Sequence, residues 1–294
     1  MPSRPSNEGV TSSAERPLIR GRVYHLMLKP GDVAPYVLLP GDPERVPKIA
    51  ELWDEGREVA RHREYVTYTG KYKGVLISAT STGIGGPSAA IAVEELAQVG
   101  AHTLIRVGST GSIQDYITVG DLIIVIGAVR LDGTSKQYVR VEYPALANYE
   151  VVLALVEAAE SLGVKYHLGI VASTDSFYTG QGRPGFSGYW QSWMDNIITD
   201  LRRARVLSFE MEASTILTLA NLFGLRAGCV CAVFADRVRG IFDVKGEEDA
   251  IKIANEAVKI LSEWDNIKGN ANKRHFYPSL ITVQHELKRT NKHR

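Results

Sequence analysis

The segment Thr82-Gly-Ile-Gly-Gly-Pro-Ser-Ala-Ala-Ile-Ala-Val-Glu-Glu-Leu96 carries the strongest structural signal of this sequence. It begins shortly after an apolar run at residues 75–79, which predicts a β-strand. Its glycines favour a tight turn, Pro87 favours the first turn of a helix, and Gly100 favours the end of that helix. The order strand, glycine turn and helix predicts an α/β fold, with this helix over residues 87–99.

Short apolar strands alternate with amphipathic helices along most of the chain. Further strands are predicted at residues 37–39, 104–107, 122–129, 169–173 and 228–234. Further helices are predicted at residues 43–52, 149–162, 210–223 and 247–264. Strands that are apolar at nearly every position are typical of a sheet covered on both faces. Because no linker interrupts the pattern, it predicts one domain of three layers, α/β/α.

The composition excludes several classes of function. The chain has 294 residues, with 34 Lys and Arg against 33 Asp and Glu, and a net charge of +1. This balance produces no broad positive field for nucleic acid or an anionic membrane. The longest apolar stretches, residues 122–129 and 227–235, are too short to cross a bilayer, and the N-terminal residues lack the apolar core of a secretion signal. We therefore expect a cytoplasmic protein with neither nucleic acid nor a membrane as its partner.

The chain ends and the two cysteines extend this prediction. Residues 1–20 are rich in Ser, Pro, Glu and Arg and predict a disordered lead. Residues 21–266 form the predicted domain, and residues 267–294 form a basic tail, part of which is predicted to be helical.

Cys229 and Cys231 lie two positions apart on a predicted strand, so they share one face of it. Two buried thiols, rather than a disulfide framework, favour a reducing compartment.

Several familiar catalytic motifs do not occur in the sequence. The run Gly83-Ile-Gly85 resembles a dinucleotide fingerprint, but Ser88 stands where that fingerprint needs its third glycine. Neither the phosphate-binding loop G-x-x-x-x-G-K-[ST] nor the serine hydrolase motif G-x-S-x-G is found, and no group of Cys and His has metal-binding spacing. These patterns exclude the corresponding classes of enzyme.

Two further glycine turns follow predicted strands, and each has an arginine close by. Pro40-Gly-Asp-Pro-Glu-Arg45 follows residues 37–39, and Arg106-Val-Gly-Ser-Thr-Gly111 ends the strand at residues 104–107. Because open α/β sheets bind ligands at the carboxyl ends of their strands, we expect these turns and residues 82–88 to face one crevice. Backbone N–H groups, hydroxyls and planar guanidinium groups suit phosphate, so the sequence predicts a phosphate-binding pocket.

The three turns, in this order and spacing, resemble those of the purine and uridine phosphorylase family. Three further stretches match the same family: Arg61-His-Arg-Glu64, Phe177-Tyr-Thr-Gly-Gln-Gly-Arg183 and Glu210-Met-Glu212. The resemblance extends over about residues 23–261, and the pattern Gln181-x-Arg183 is typical of the members that cleave uridine. It implies a nucleoside phosphorylase fold with a mixed central sheet.

The resemblance implies a pentosyltransferase of pyrimidine salvage, which converts uridine and phosphate reversibly to uracil and ribose 1-phosphate. Inorganic phosphate is then a co-substrate, and the chemistry needs no metal or organic cofactor. Members of the family form hexamers, built as trimers of dimers, with active sites shared between subunits. Some members also hold a monovalent cation between subunits, near positions that match Glu64, Ile84 and Ser88 of this chain.

The matching positions fall into three groups according to the part of the substrate that the resemblance implies they contact. Phosphate contacts are expected from Gly41, Arg45, Arg106 and Ser109, joined by Arg63 of a neighbouring subunit. Ribose contacts are expected from Glu210, Met211 and Glu212, joined by His25, which reaches the 5′-hydroxyl across a subunit boundary. Base contacts are expected from Phe177, Gln181, Arg183 and Arg237.

Asp236 leaves the identity of the base open. Members that cleave uridine usually carry Asn here, whereas the purine branch uses an aspartate in this neighbourhood as a general acid that protonates the base. Asp236 therefore indicates either a purine or broad-specificity nucleoside phosphorylase, or a carboxylate paired with Arg237 or Arg239. A non-catalytic nucleoside-binding protein is a more remote alternative. Residues 184–206 match no family motif and look like a lid or an intersubunit flap.

Overall fold

Helices cover both faces of one large mixed β-sheet in the computed structural model, which describes residues 12–281. The strands are β1 Leu18–Ile19, β2 Arg22–Val23, β3 Tyr36–Pro40, β4 Glu55–His62, β5 Tyr65–Tyr72, β6 Val75–Thr80, β7 Thr103–Ser112, β8 Leu122–Arg130, β9 Ala145–Leu146, β10 Tyr166–Ser173, β11 Ser208–Glu210, β12 Arg226–Asp236 and β13 Ile241–Phe242. The helices are α1 Arg45–Ala50, α2 Gly86–Val99, α3 Thr134–Tyr138, α4 Tyr149–Leu162, α5 Ile197–Arg203, α6 Ala213–Leu222 and α7 Glu247–Asn270.

The main sheet combines a closed part with an open extension. Its strand order is β13-β12-β8-β10-β11-β7-β3-β6-β5-β4, and β12 also pairs with β7. This extra pairing closes a ring through β12, β8, β10, β11 and β7, from which β3, β6, β5 and β4 extend. The strands β3 and β12 are parallel to β7, and β6 is parallel to β3, so all four carboxyl ends lie at one edge. The predicted mixed sheet is confirmed.

The two faces of the sheet pack against different helices. Along β8, Ile123 joins the core beneath α2 and α6, whereas its neighbour Ile124 joins the core beneath α1, α4 and α7. This alternation follows from the period of two in a strand, and it confirms the predicted three layers. Cys229 and Cys231 lie on one face of β12 as predicted; they are buried free thiols with their sulfur atoms 3.5 Å apart.

Glycines end two of the predicted helices, but the helix predicted to start at residue 210 begins later. Gly100 and Gly163 take left-handed conformations directly after α2 and α4. Glu210, by contrast, ends β11, and its carboxylate accepts hydrogen bonds from the backbone N–H groups of Glu212 and Ala213 before α6. The prediction was wrong there because a carboxylate just before a helix resembles its first turn in sequence.

The segment after the predicted domain boundary packs against the sheet. Helix α7 continues to Asn270, the Phe276 ring stacks on Trp264 with ring centres 4.0 Å apart, and Leu280 is fully buried. Residues 1–11 of the predicted lead and residues 282–294 of the predicted tail lie outside the described residues. None of the helices within residues 12–281 has the length and apolar character needed to cross a membrane.

Candidate active site

The three glycine turns surround one cavity of about 730 Å3 at the carboxyl edge of β3, β6 and β7. The turns are joined directly, because the Thr82 backbone N–H donates to the Pro40 carbonyl at 2.8 Å. The structure thus brings the turns together as the sequence predicts. Predicted site residues that line the cavity are Gly41, Arg45, Glu64, Ile84, Ser88, Arg106, Ser109, Phe177, Gln181, Arg183, Glu210, Met211 and Glu212.

Arg106 lies between two buried carboxylates. Its Nε donates to Glu210 Oε2 at 2.9 Å, and its Nη2 lies 2.5 Å from Glu212 Oε2. Burial alone would lower the pKa of Arg106, but the carboxylates of Glu212 and Glu210 outweigh it and raise that pKa above its ordinary value. A guanidinium has five N–H donors, so this permanently charged group keeps donors for an anion in the cavity.

The two carboxylates also organise the backbone around the cavity. Glu210 accepts from the backbone N–H groups of Glu212 at 2.9 Å and of Ala213 at 2.8 Å, and from the Ser173 hydroxyl. Glu212 accepts from the Gly85 backbone N–H at 2.6 Å, which ties it to the turn before α2. Burial raises the pKa of Glu212, and Arg106 opposes that rise. Glu210 is therefore occupied by the protein, whereas Glu212 connects two walls of the cavity.

Arg45 is oriented by a residue that sequence analysis did not identify. Its Nε and Nη2 donate to Glu247 Oε2 at 2.9 and 2.7 Å, and its Nη1 donates to the Val107 carbonyl at 3.1 Å. Glu247 is the first residue of α7 and also accepts from Lys48 at 2.7 Å. Nothing in the sequence links positions 45 and 247, since only the packing of α7 against α1 brings them together.

The predicted base-binding residues form a connected group. Arg183 Nη1 donates to Gln181 Oε1 at 2.6 Å, and the guanidinium carbon lies 4.0 Å from the centre of the Phe177 ring. Arg237 does not line the cavity, but its Nη1 donates to the Gln181 carbonyl at 2.9 Å. Burial and the neighbouring Arg237 lower the pKa of Arg183 to about 10, so it stays charged at neutral pH. Arg183 occupies the amide oxygen of Gln181, and within residues 12–281 no acceptor bonds to the NH2 group of that amide, so this group can donate to a ligand.

Asp236 is buried and paired with Arg239. Its carboxylate accepts from the backbone N–H groups of Val238 at 3.1 Å and Arg239 at 2.9 Å, and from the Arg239 guanidinium at 2.6 Å. Burial would raise the pKa of Asp236, but these hydrogen bonds hold it below its ordinary value. The side chain is 1% exposed and is not among the described residues that line the cavity.

Among the residues that the structure describes, His25 and Arg63 are not part of the cavity lining of their own chain, but they lie close to each other. The Arg63 guanidinium carbon lies 5.8 Å from the centre of the Tyr24 ring, which contacts the His25 ring edge-on at 4.7 Å. Arg63 is exposed, and the His25 side chain is 27% exposed. The geometry therefore places both residues, predicted to serve a neighbouring subunit, on one surface.

The three residues that match a monovalent cation site, Glu64, Ile84 and Ser88, lie in or beside the turn before α2. The Ser88 hydroxyl lies 3.2 Å from Glu64 Oε1, and the Ile84 side chain is exposed. Over residues 12–281 no three His, Cys, Asp or Glu side chains are grouped as they would be around a metal ion. The cation site remains a prediction.

Residues 184–206 form an irregular excursion beside the cavity. Phe186 and Trp193 are strongly exposed in its first half, whereas in its second half α5 is anchored. The anchor is Gln114, whose Nε2 donates to the carbonyls of Arg202 at 3.2 Å and Val206 at 2.7 Å. The excursion thus has one fixed end and one end that presents apolar side chains to solvent.

Fold and cavity together define a nucleoside phosphorylase-like α/β protein, and sequence comparisons agree. The family described as the Phosphorylase superfamily matches residues 35–263, so the chain belongs to this family. It is 68% identical to a uridine phosphorylase of Thermococcus kodakarensis over 91% of this chain and 97% of that protein. It is 42% identical to a uridine phosphorylase of Escherichia coli over 82% of this chain and 96% of that protein. It is also 42% identical to a guanosine phosphorylase of Halorubrum lacusprofundi, over 74% of this chain and 84% of that protein.

Proposed function

We propose that this protein catalyses the reversible phosphorolysis of uridine to uracil and ribose 1-phosphate. The observation that carries the proposal is that one cavity is lined both by the cations Arg45 and Arg106 and by the base-reading pair Gln181 and Arg183. A phosphate and a pyrimidine nucleoside can therefore meet in one place. The 68% identity to a uridine phosphorylase supports the same reaction.

Phosphate binding in this proposal depends on pre-oriented cations. The Arg106 guanidinium is held by Glu210 and Glu212, and the Arg45 guanidinium by Glu247, so neither needs to reorganise when the anion arrives. The Ser109 hydroxyl adds a donor beside them. A phosphate oxygen held here attacks C1′ of the ribose, and its negative charge stabilises the positive charge that builds on the sugar.

Departure of the base completes the reaction. As the bond between C1′ and the base nitrogen breaks, its electron pair moves onto uracil and spreads to the ring oxygens. Arg183, still charged with a pKa of about 10, stabilises that negative charge, and the free NH2 group of Gln181 donates to a ring oxygen. The uracil anion takes up one proton and the phosphate group gives up the one that it carried, so the reaction balances without a metal or organic cofactor.

A purine substrate is the alternative that one relative favours, because the guanosine phosphorylase is 42% identical to this chain. A purine mechanism through Asp236 needs a carboxyl group that is protonated at neutral pH and faces the base. Asp236 is instead ionised and bound to Arg239. This geometry favours uridine over purines.

We further propose that the working form is a hexamer, a trimer of dimers, acting in nucleoside salvage in the cytoplasm. In it His25 and Arg63 complete the cavity of a neighbouring subunit, with His25 at the ribose 5′-hydroxyl and Arg63 at phosphate. Their position together on one surface, outside their own cavity, supports this arrangement. The free thiols of Cys229 and Cys231 fit a reducing compartment.

A substrate panel tests the proposal. Uridine, thymidine, cytidine, inosine, guanosine and adenosine are each incubated with and without phosphate, and the free base and ribose 1-phosphate are quantified. We expect uracil release from uridine that depends on phosphate and produces one ribose 1-phosphate for each uracil. Release without phosphate would indicate a hydrolase, faster cleavage of inosine or guanosine would indicate a purine enzyme, and binding without cleavage would indicate a nucleoside-binding protein.

A further inference from the structure

Glu95 contacts both the backbone and the ring of His25. Its carboxylate accepts from the backbone N–H groups of His25 at 3.0 Å and Leu26 at 2.7 Å, and Oε1 lies 2.7 Å from His25 Nδ1. Glu95 lies in α2 and is 7% exposed. Its carboxylate is therefore desolvated by the fold and directed at one surface histidine.

Two more contacts fix the same histidine. The His25 carbonyl lies 2.8 Å from Nδ1 of His62, and the Tyr24 ring packs edge-on against the His25 ring at 4.7 Å. The backbone N–H, the carbonyl, one ring nitrogen and one ring edge are thus all held. A side chain that is 27% exposed and held this firmly has one polar atom left to offer, Nε2.

The chemistry of the contact decides which nitrogen carries the proton. An ionised carboxylate can only accept hydrogen bonds, so Nδ1 of His25 must donate to Glu95. In the neutral ring, Nε2 then has a free lone pair that accepts a hydrogen bond from a hydroxyl. We propose that Glu95 is a positioning residue, which sets this tautomer and presents Nε2 of His25 to the ribose 5′-hydroxyl in a neighbouring subunit. The inference rests on the function proposed above.

Substitution of Glu95 by glutamine tests whether the carboxylate orients His25, because it keeps the size of the side chain and removes only its charge. The amide keeps the shape of the side chain but cannot accept from Leu26 N–H and two His25 N–H groups together, and it can donate to Nδ1. His25 then shifts its proton to Nε2 or loses its orientation. Either change weakens acceptance from the 5′-hydroxyl and leaves the rest of the nucleoside unaffected.

The experiment compares uridine with 5′-deoxyuridine, which lacks that hydroxyl, in the full-length protein at saturating phosphate. We expect Glu95→Gln to lower kcat/KM for uridine about tenfold or more, the loss expected for a hydrogen bond to a charged network, and to leave 5′-deoxyuridine nearly unchanged. His25→Ala should give the same pattern, and Glu95→Gln added to His25→Ala should have no further effect on uridine. Glu94→Gln, at the neighbouring position of α2, is the matched control.

Three results would overturn the inference: equal losses on both nucleosides, additive losses in the double variant, or no loss on either nucleoside. Thermal unfolding of each variant corrects the rates for the folded fraction. If Glu95→Gln does not fold, Glu95→Asp keeps the negative charge in α2 but shortens the side chain by one methylene and so withdraws the carboxylate from His25, and the same comparison applies. If the wild-type protein releases no uracil from either nucleoside, the proposed function fails and not this inference.

Discussion

Nη2 of Arg106 lies 2.5 Å from Oε2 of Glu212, and neither side chain is more than 5% exposed. Arg106, which is expected to bind phosphate, and Glu212, which is expected to bind ribose, therefore form one buried ion pair. Any movement of one changes the other, so the positions of phosphate and sugar are coupled. The pair also belongs to the core, because Gly85 and Glu210 complete its contacts.

Substitution of Arg106 by alanine should abolish phosphorolysis and also destabilise the protein. Removal of the guanidinium leaves the charges of Glu210 and Glu212 buried without a partner, which costs about 3–5 kcal/mol. Denaturant unfolding measures this cost. Arg45→Ala is the control: its partner Glu247 is 17% exposed and keeps Lys48, so activity should fall with a smaller loss of stability. Equal stability of Arg106→Ala and the wild type would contradict the prediction.

Gly108→Ala should displace Arg106 without removing it. A methyl group at this position would lie 2.7 Å from Arg106 Nη2 and 2.9 Å from Cys231 Sγ, and the guanidinium cannot retreat without leaving its carboxylates. Because a displacement of 1 Å at a reacting group can cost roughly 100-fold, we expect KM for phosphate to rise at least tenfold. Gly111→Ala, on the same strand with its nearest atom at 3.5 Å, should change it little. The measurement is phosphate saturation at fixed uridine.

Arg63→Gly should lower activity while leaving stability equal or improved. Arg63 has a φ of +55° in the turn between β4 and β5, a left-handed conformation that costs an L-residue about 1–2 kcal/mol. Glycine removes that cost but adds back about 0.5–1 kcal/mol of chain entropy. Arg20→Gly, with a φ of +52° in the turn between β1 and β2, should give a similar stability change with unchanged activity. A loss of phosphate affinity in both variants would argue against a role for Arg63.

Mixed oligomers should recover activity from two inactive variants. If Arg63 completes the cavity of a neighbour, a chain with Arg63→Ala still has an intact cavity of its own, and a chain with Arg183→Ala still provides a working Arg63. Subunits of the two variants are exchanged and uracil release is compared with each variant alone. We expect the mixture to exceed both, and no recovery after proven exchange would show that the sites are not shared.

Asp265 should make stability depend on pH in the acid range. Burial alone would raise its pKa, but hydrogen bonds from Arg226, Lys268 and Tyr36 lower that pKa from 3.8 to about 2. Because the folded state binds its proton less readily than the unfolded state, the stabilisation is complete above about pH 4 and is lost as the pH falls through about 2. Between these values the wild type should lose roughly 2 kcal/mol more than Asp265→Asn, as measured by denaturant unfolding.

The local elements follow from the sequence where one physical pattern dominates. The apolar runs predicted the buried strands, and Gly100 ends α2 as expected. The hairpin of β4 and β5 was missed because it is polar along much of its length and lacks the apolar run by which the other strands were recognised. The helix start at residue 210 was wrong because a capping carboxylate resembles a helical one.

Among the site residues, motifs in the sequence identify most of the groups that line the cavity but not those that orient them. Glu247 lies in no motif, and Glu95 and Gly108 lie in motifs that assign them no role, yet each acts on a residue that was predicted to bind substrate. Glu95 was quoted within the family segment, yet its partner is 70 positions away. Such partners cannot be read from spacing, because spacing describes only contacts within one element.

The sequence by itself determined the α/β class, the turns at the strand ends and the residue types that suit phosphate, because each depends on neighbours a few positions apart. The base-binding residues were predicted only from the family resemblance. Only the tertiary structure decided that Arg106 pairs with Glu210 across 104 positions and Arg45 with Glu247 across 202. It also decided that Asp236 pairs with Arg239 and that His25 and Arg63 do not line the cavity of their own chain. The physical reason is that charge pairing depends on which strands and helices lie side by side, and the cooperative packing of the whole chain selects that arrangement.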